Sequence, residues 1–252
     1  LEKSFGRPGS PWEALRFSLK NRLRVVVTEQ IDRIDTLRQG DHKYGVIIDY
    51  KSGRKQLDIS QIFTGLELQL LTYMFVALLN IGGDAIPAAV LYCYVRNDRV
   101  SLEYRVSDED KKKLYESKGK LTGFYLDDGQ VMQQLDTSMQ GFSDFLNLRL
   151  KKDGTLSDAS HTLYNEAGWS HLLDWAARQI EDIAGHIGDG DISIHPVLLG
   201  QKAPCSYCPY RPVCRFDVAM AGNTYDAVGR EDKDDMIRKM FDEGDDEHGL
   251  DK

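Results

Sequence analysis

Apolar positions along the chain follow two periods, one of two residues and one near 3.6, and these alternate. Residues 22 to 37 are rich in Val, Ile and Thr around Val25-Val26-Val27 and read as a bent strand. Gln39-Gly40-Asp41 leads from it into a second run, Tyr44 to Tyr50, and these turn residues predict an antiparallel hairpin. From Ser60 to Leu79, apolar residues at 62, 63, 66, 70, 71, 74, 75 and 78 predict one helix, closed by Asn80 and Gly82-Gly83. The nearly continuous apolar run Ala88 to Val95 predicts a buried strand. Asn97-Asp98 marks a turn into a further strand, Val100 to Val106, and Ser107-Asp108-Glu109 starts a helix that runs to about Gly119. Between Ser170 and Ile187 a helix would place Leu172, Leu173, Trp175, Ala176, Ile180, Ile183 and Ile187 on one face. This order predicts an α/β fold, a mixed central β-sheet flanked by helices. The chain divides into a main domain, residues 1–200, a cysteine-rich loop, 201–221, and an acidic, disordered tail, 222–252.

Composition narrows this little. With 252 residues, 41% hydrophobic and 29% charged, the chain can bury one substantial core. No window approaches the ~20 apolar residues of a membrane span, which argues against a membrane partner. The start, Leu1-Glu2-Lys3-Ser4, lacks an initiator Met and a signal region, which suggests a truncated chain. The net charge of −8 counts superficially against nucleic acid, but residues 230 to 252 carry ten acidic and five basic side chains, so the other 229 residues hold only −3. Local fields matter more than the sum, and clustered carboxylates belong at a metal site. Of the four cysteines, Cys205, Cys208 and Cys214 fall within ten residues and Cys93 stands alone. That pattern points away from a disulfide framework and toward a metal or cluster site in a reducing cytoplasm.

The candidate chemistry lies in Gln30-Ile31-Asp32-Arg33-Ile34-Asp35 and Ile48-Asp49-Tyr50-Lys51-Ser52-Gly53. Alternation along a strand projects Asp49 and Lys51 to one face while Tyr50 points away. Asp32, on the neighbouring strand, can supply a second carboxylate. Two carboxylates suit Mg²⁺, or Mn²⁺, and a strand-end lysine can hold the water that attacks a phosphodiester. The plainer alternative is a surface Asp–Lys pair, with Asp32 and Asp35 as solvent-facing positions beside core Ile31 and Ile34. Gln69 and Tyr73, four apart, share one helical face.

Taken in order, Ile-Asp-Arg-Ile-Asp, Asp-Tyr-Lys and Gln-x-x-x-Tyr resemble the motif series of the RecB-type nucleases in the PD-(D/E)xK superfamily. Together with Cys205-x₂-Cys208-x₅-Cys214, the motifs are similar to those of the AddB family of bacterial helicase–nuclease subunits, from Phe5-Gly6 to about Asp217. The resemblance implies a restriction-endonuclease-like fold, with Asp32 and Asp49 as metal ligands and Lys51 as a catalytic residue. Gln69 and Tyr73 would position the substrate or the site. It also implies hydrolysis of DNA single strands, 5′-terminated ones, during double-strand-break processing and recombination, with AddA as the partner helicase–nuclease subunit. The chain departs from the family where Glu29 replaces a Gly, and no His precedes Asp32 to serve as the family's first motif. The alternative is therefore a catalytically incomplete nuclease-fold module that binds DNA or a partner subunit.

Three cysteines on one loop stiffened by Pro204, Pro209 and Pro212 suit a bound metal, a zinc knuckle or three unconnected thiols. The resemblance implies a [4Fe–4S] cluster held by Cys205, Cys208, Cys214 and one cysteine far upstream, which would clasp the domain shut. That fourth cysteine is missing from this chain, and Cys93, inside an apolar strand, reads as a buried small residue.

Overall fold

The computed structural model describes residues 2–19, 23–53, 55–82, 84–95, 107, 119–157, 162–201, 203–228 and 233–242. Its residues form two compact units. The first comprises 1–16, 26–57 and 69–173; the second comprises 17–25, 58–68 and 174–252.

The first unit is built on a five-stranded sheet. Strands β5 (Arg33–Gln39) and β6 (His42–Lys51) form the antiparallel hairpin that the pattern predicts, turned by Gly40 at φ 60. β6 then runs parallel to β7 (Ile86–Tyr94), which pairs antiparallel with β8 (Thr122–Leu126), which runs parallel to β9 (Leu163–Tyr164). The sheet order is β5-β6-β7-β8-β9, a mixed sheet. β7 lies between two neighbours and is buried along most of its length, which explains its unbroken apolar run. β8 crosses so close to β7 that a Cβ on Gly123 would stand 1.9 Å from the Val90 carbonyl oxygen, so only glycine fits there.

The bent strand at the start of the hairpin is resolved into three pieces. β3 (Arg24–Val27) and β4 (Glu29–Ile31) precede β5, and the chain bends at Asp32. β4 pairs antiparallel with β1 (Lys3–Phe5), burying Phe5 and Ile31 completely. β3 pairs with β2 (Leu15–Ser18).

The single helix expected over 60–79 is instead two, α1 (Ile59–Phe63) and α2 (Gln69–Ile81). Gly65 takes φ +73, and the amides of Leu66 and Glu67 both donate to the carbonyl of Gln61, which closes α1 before α2 begins. α2 buries Leu70, Leu71, Met74 and Val76 and ends at Gly82, also left-handed at φ 73. Its Met74, Leu78 and Ile81 side chains pack over Gly45 of β6, where a Cβ would stand 3.3 Å from Ile81 Cδ1. The expected strand 100–106 lies outside the described residues, as does nearly all of the expected helix 107–119. Helix α3 (Gly129–Leu135) follows β8 and is capped by Asp128, which accepts from the amides of Gln130 and Val131. Asp136 ends it, buried, and accepts from the hydroxyls of Ser138 at 2.6 Å and Ser143 at 2.5 Å.

The helix expected over 170–187 is α4 (Glu166–Gly188), which starts in the first unit and continues in the second. Trp169 and Leu172 are completely buried, as the periodicity requires. Ile183 and Ile187, expected on the same face, are 43% and 71% exposed: the last turns of α4 carry apolar residues into solvent.

In the second unit, Phe63 stacks on Trp175 at 5.2 Å and Trp175 donates to the Ile62 carbonyl. Strands β10 (Val197–Leu199) and β11 (Asp226–Val228) pair in parallel. Between them lie a 3-10 turn (Pro204–Ser206) and the short helix α5 (Arg211–Cys214). The stretch from residue 222, expected to be a disordered tail, contains β11 and a helix, α6 (Lys233–Asp242). Met236 and Met240, four residues apart, form its buried stripe. A mixed sheet flanked by helices is an α/β fold, consistent with a restriction-endonuclease-like architecture. No helix among the described residues is long and apolar enough to cross a membrane.

Candidate active site

The β5–β6 register pairs Arg33 with Ile48 and Ile34 with Ile47. Asp32 lies one residue before this register, at a bend, close enough to Asp49 that its charge helps to raise the Asp49 carboxyl. The bend at Asp32 turns its carboxylate onto β6, where Oδ2 accepts from the Tyr50 amide at 2.9 Å. Asp35, three residues on, goes the other way. It is held by Arg33 at 2.7 Å with its side chain 40% exposed, as a solvent-facing residue would be.

Asp49 is 3% exposed at the carboxyl end of β6, and the same alternation brings Lys51 to its side. Lys51 Nζ lies 2.5 Å from Asp49 Oδ2, an ion pair, and that buried oxygen has no hydrogen-bond partner beyond it among the described residues. Burial pushes the Asp49 carboxyl above the usual aspartate range. Lys51 and Lys55 pull it down and Asp32 pushes it up, and burial prevails. Lys51, which the sequence pattern places at an exposed strand end, is only 27% exposed and is fixed from two sides.

Its second support comes from α2. Lys51 Nζ donates to Gln69 Oε1 at 3.0 Å, and Gln69 Nε2 donates to the Tyr73 hydroxyl at 2.9 Å. Gln69 and Tyr73 therefore act as one unit, an amide that orients the ammonium and a phenol that orients the amide. Tyr73 is buried edge-on against Phe5, and burial pushes its hydroxyl up to about 12, so it stays protonated. The structure brings together all five residues singled out on the strands and α2.

Other neighbours escaped sequence reasoning. Tyr92, paired with Asp49 across β6–β7, presents its ring to Lys51 Nζ at 5.5 Å and to Lys55 Nζ at 5.0 Å. Glu2 follows from the β1–β4 register, which continued one step sets it opposite Asp32, but its carboxylate accepts from Gln30 Nε2 at 2.8 Å. Only strand pairing could have revealed either residue.

The residues fit a divalent cation in part. An acceptor oxygen of Asp49 is buried with no hydrogen-bond partner beyond Lys51 among the described residues, and a second carboxylate, that of Asp32, lies close enough for its charge to act on it, the usual protein share of a Mg²⁺ site. Among the described residues, however, no group of three or more His, Cys, Asp or Glu side chains is arranged to hold a metal ion. That holds for the cysteine loop as well. Cys205, Cys208 and Cys214 form no disulfide, and no cysteine clasp is formed among the described residues. Thiols have no mutual attraction, so backbone turns set this loop, Tyr207 to Pro204 and Val213 to Tyr210. Cys93 is half-buried in β7, and burial raises its thiol.

The Asp-x-Lys strand end, its neighbouring aspartate and the supporting Gln–Tyr pair agree with a comparison against protein families, in which residues 2–215 match the PD-(D/E)XK nuclease superfamily. The chain belongs to this superfamily. Among curated PD-(D/E)XK relatives it is similar to the B-type subunit of the ATP-dependent helicase/deoxyribonuclease of Listeria welshimeri, with 32% identity over 97% of this chain and 21% of that protein. The corresponding subunits of Bacillus cereus and Bacillus licheniformis are each 34% identical, over 89% and 99% of this chain and 20% and 22% of theirs. The chain is homologous to the nuclease region of these bacterial AddB subunits and spans about a fifth of their length.

Proposed function

We propose that this chain is the nuclease-fold module of an AddB-type helicase–nuclease subunit, and that it binds single-stranded DNA at the Asp32–Asp49–Lys51 site with an incomplete catalytic set of its own. One observation carries this reading. Asp32, which accepts from the Tyr50 amide, lies close enough to the buried Asp49 to raise its carboxyl, and the Asp49 carboxylate touches Lys51, while no third metal-ligating side chain joins them among the described residues. Asp32 and Asp49 would hold one Mg²⁺ or Mn²⁺, with water and phosphate oxygens in its other positions. Bound there, the cation would polarise the phosphate and lower the pKa of a water. Lys51 offers its ammonium to the phosphate or to the attacking oxygen, Gln69 aims it, and Tyr73 holds Gln69. The relatives are helicase/deoxyribonuclease subunits by name, which supports a partner helicase subunit for the whole protein.

A second reading is that the chain itself hydrolyses single strands, 5′-terminated ones in the whole complex. The buried, Lys51-paired oxygen of Asp49 and the unbroken run Asp49–Lys51–Gln69–Tyr73 favour it. In the same proposal Cys205, Cys208 and Cys214 are cluster ligands of the intact subunit, completed by a residue outside this chain and closing a clasp. Iron and sulfide assays on anaerobically purified intact subunit check this, and a metal-free subunit would refute it.

Anisotropy titration of a labelled single-stranded oligonucleotide, run beside a gel assay for cleavage in Mg²⁺, tests the function. Binding that loses its divalent-cation dependence in Asp49→Asn supports the module, and no binding overturns it. Mg²⁺-dependent cleavage that Lys51→Ala removes would decide for the second reading.

A further inference from the structure

Lys55 sits four residues past Lys51 on the segment leaving β6, exposed, and Leu57 just after it is buried. That anchor turns the segment back toward the sheet, and the Lys55 ammonium comes to rest 5.0 Å from the centre of the Tyr92 ring. The same ring carries Lys51 Nζ at 5.5 Å and is itself 2% exposed, the direct partner of Asp49 on β7. Two ammonium groups thus share one aromatic floor beside the Asp49 carboxylate. Lys51 is held by Asp49 and Gln69, and Lys55 is exposed further along the same segment.

We propose that Lys55 and the Tyr92 ring form a phosphate subsite, in which Lys55 takes a backbone phosphate of single-stranded nucleic acid next to the one addressed by Asp49 and Lys51. This rests on the proposed function only as far as strand binding, and is independent of cleavage. A lysine is a point charge on a flexible stem, suited to a phosphate whose position varies. The electron-rich face of Tyr92 favours keeping an ammonium there before the strand arrives. Lys55 then guides the strand across the site, while Lys51 remains for the phosphate at the carboxylates.

Releasing one counterion per phosphate contact sets the size of the effect. Losing one contact to a single strand lowers the slope of log affinity against log salt by about 0.7. Extrapolated from 1 M salt, that is about an eightfold weaker Kd at ~50 mM and about threefold at ~200 mM. The experiment is anisotropy titration of a labelled single-stranded oligonucleotide at several salt concentrations with Ca²⁺ present, using wild type, Lys55→Ala and Lys55→Arg, with thermal unfolding of each. Lys55→Ala should show the shallower slope, Lys55→Arg should restore it, and the unfolding temperatures should agree. A Kd and slope for Lys55→Ala equal to wild type would overturn the subsite alone, and a lower Tm with unaltered binding would assign Lys55 to packing on Tyr92. Wild type that binds no single strand would overturn the proposed function together with it.

Discussion

Asp49→Asn should destroy the cation site and make the metal-free chain more stable. The carboxylate is 3% exposed, feels the charge of Asp32 and has one oxygen in contact with the Lys51 ammonium alone among the described residues. Its pKa is raised even with Lys51 2.5 Å away, so the buried charge is less favourable here than in water, and burial and Asp32 together outweigh the two lysines. A neutral side chain of the same shape removes that charge. The gain is about 1 kcal/mol, the scale of relieving one unfavourable functional group, or roughly 2–4 °C for a chain of this size. Mg²⁺ reverses the order. A hundredfold excess over Kd stabilises a one-site protein by about 2.7 kcal/mol, roughly 5–11 °C, and the variant has no site to fill. Thermal unfolding in chelator and then across a Mg²⁺ titration measures both effects. An Asp49→Asn variant less stable than wild type in chelator would refute the electrostatic reasoning, and an equal Mg²⁺ shift in both would refute the site.

Lys51→Ala should lower metal-free stability by about 1–2 kcal/mol, because a buried carboxylate loses a partly buried counter-ion; any cleavage the wild type supports should fall ~10²-fold or more, with thermal unfolding and gel assay as readouts. At neutral pH, Asp136→Ala should cost about 2–3 kcal/mol by leaving the Ser138 and Ser143 donors unpaired. Burial works to raise the Asp136 carboxyl, yet those serines hold it below the ordinary range. A depressed folded pKa stabilises above the unfolded pKa near 4 and is lost as pH falls through the folded value, so the gap between variant and wild type should close on acidification below about pH 4. Denaturant titrations at pH 7 and pH 3 measure it, and a gap that widens in acid would contradict the assignment.

Much of the site was legible in the sequence because it rests on local periods. The two-residue period of β6 fixes Asp49 and Lys51 on one face, the 3.6-residue period fixes Gln69 with Tyr73, and Gln39-Gly40-Asp41 brings Asp32 back to β6. The helix break at Gly65 was hidden because apolar residues at 62, 63, 66 and 70 keep helical spacing through a left-handed glycine. Lys55 and Tyr92 meet through the parallel β6–β7 pairing, a non-local event that leaves no signature in spacing. The cysteine spacing is compatible with ligands and with separate thiols alike, so spacing alone does not choose between them. α6 was missed because its two short apolar pairs, Met236-Ile237 and Met240-Phe241, stand in a strongly charged background.

The most direct test of a cation shared by Asp32 and Asp49 is to replace Mg²⁺ by Fe²⁺, generate hydroxyl radicals at the bound ion with peroxide and ascorbate, and map the cuts in the polypeptide by mass spectrometry. The arrangement predicts cuts beside residues 32 and 49 that excess Mg²⁺ suppresses and Asp49→Asn abolishes. A chain left intact at both strands, or cut there equally in the variant, would contradict it.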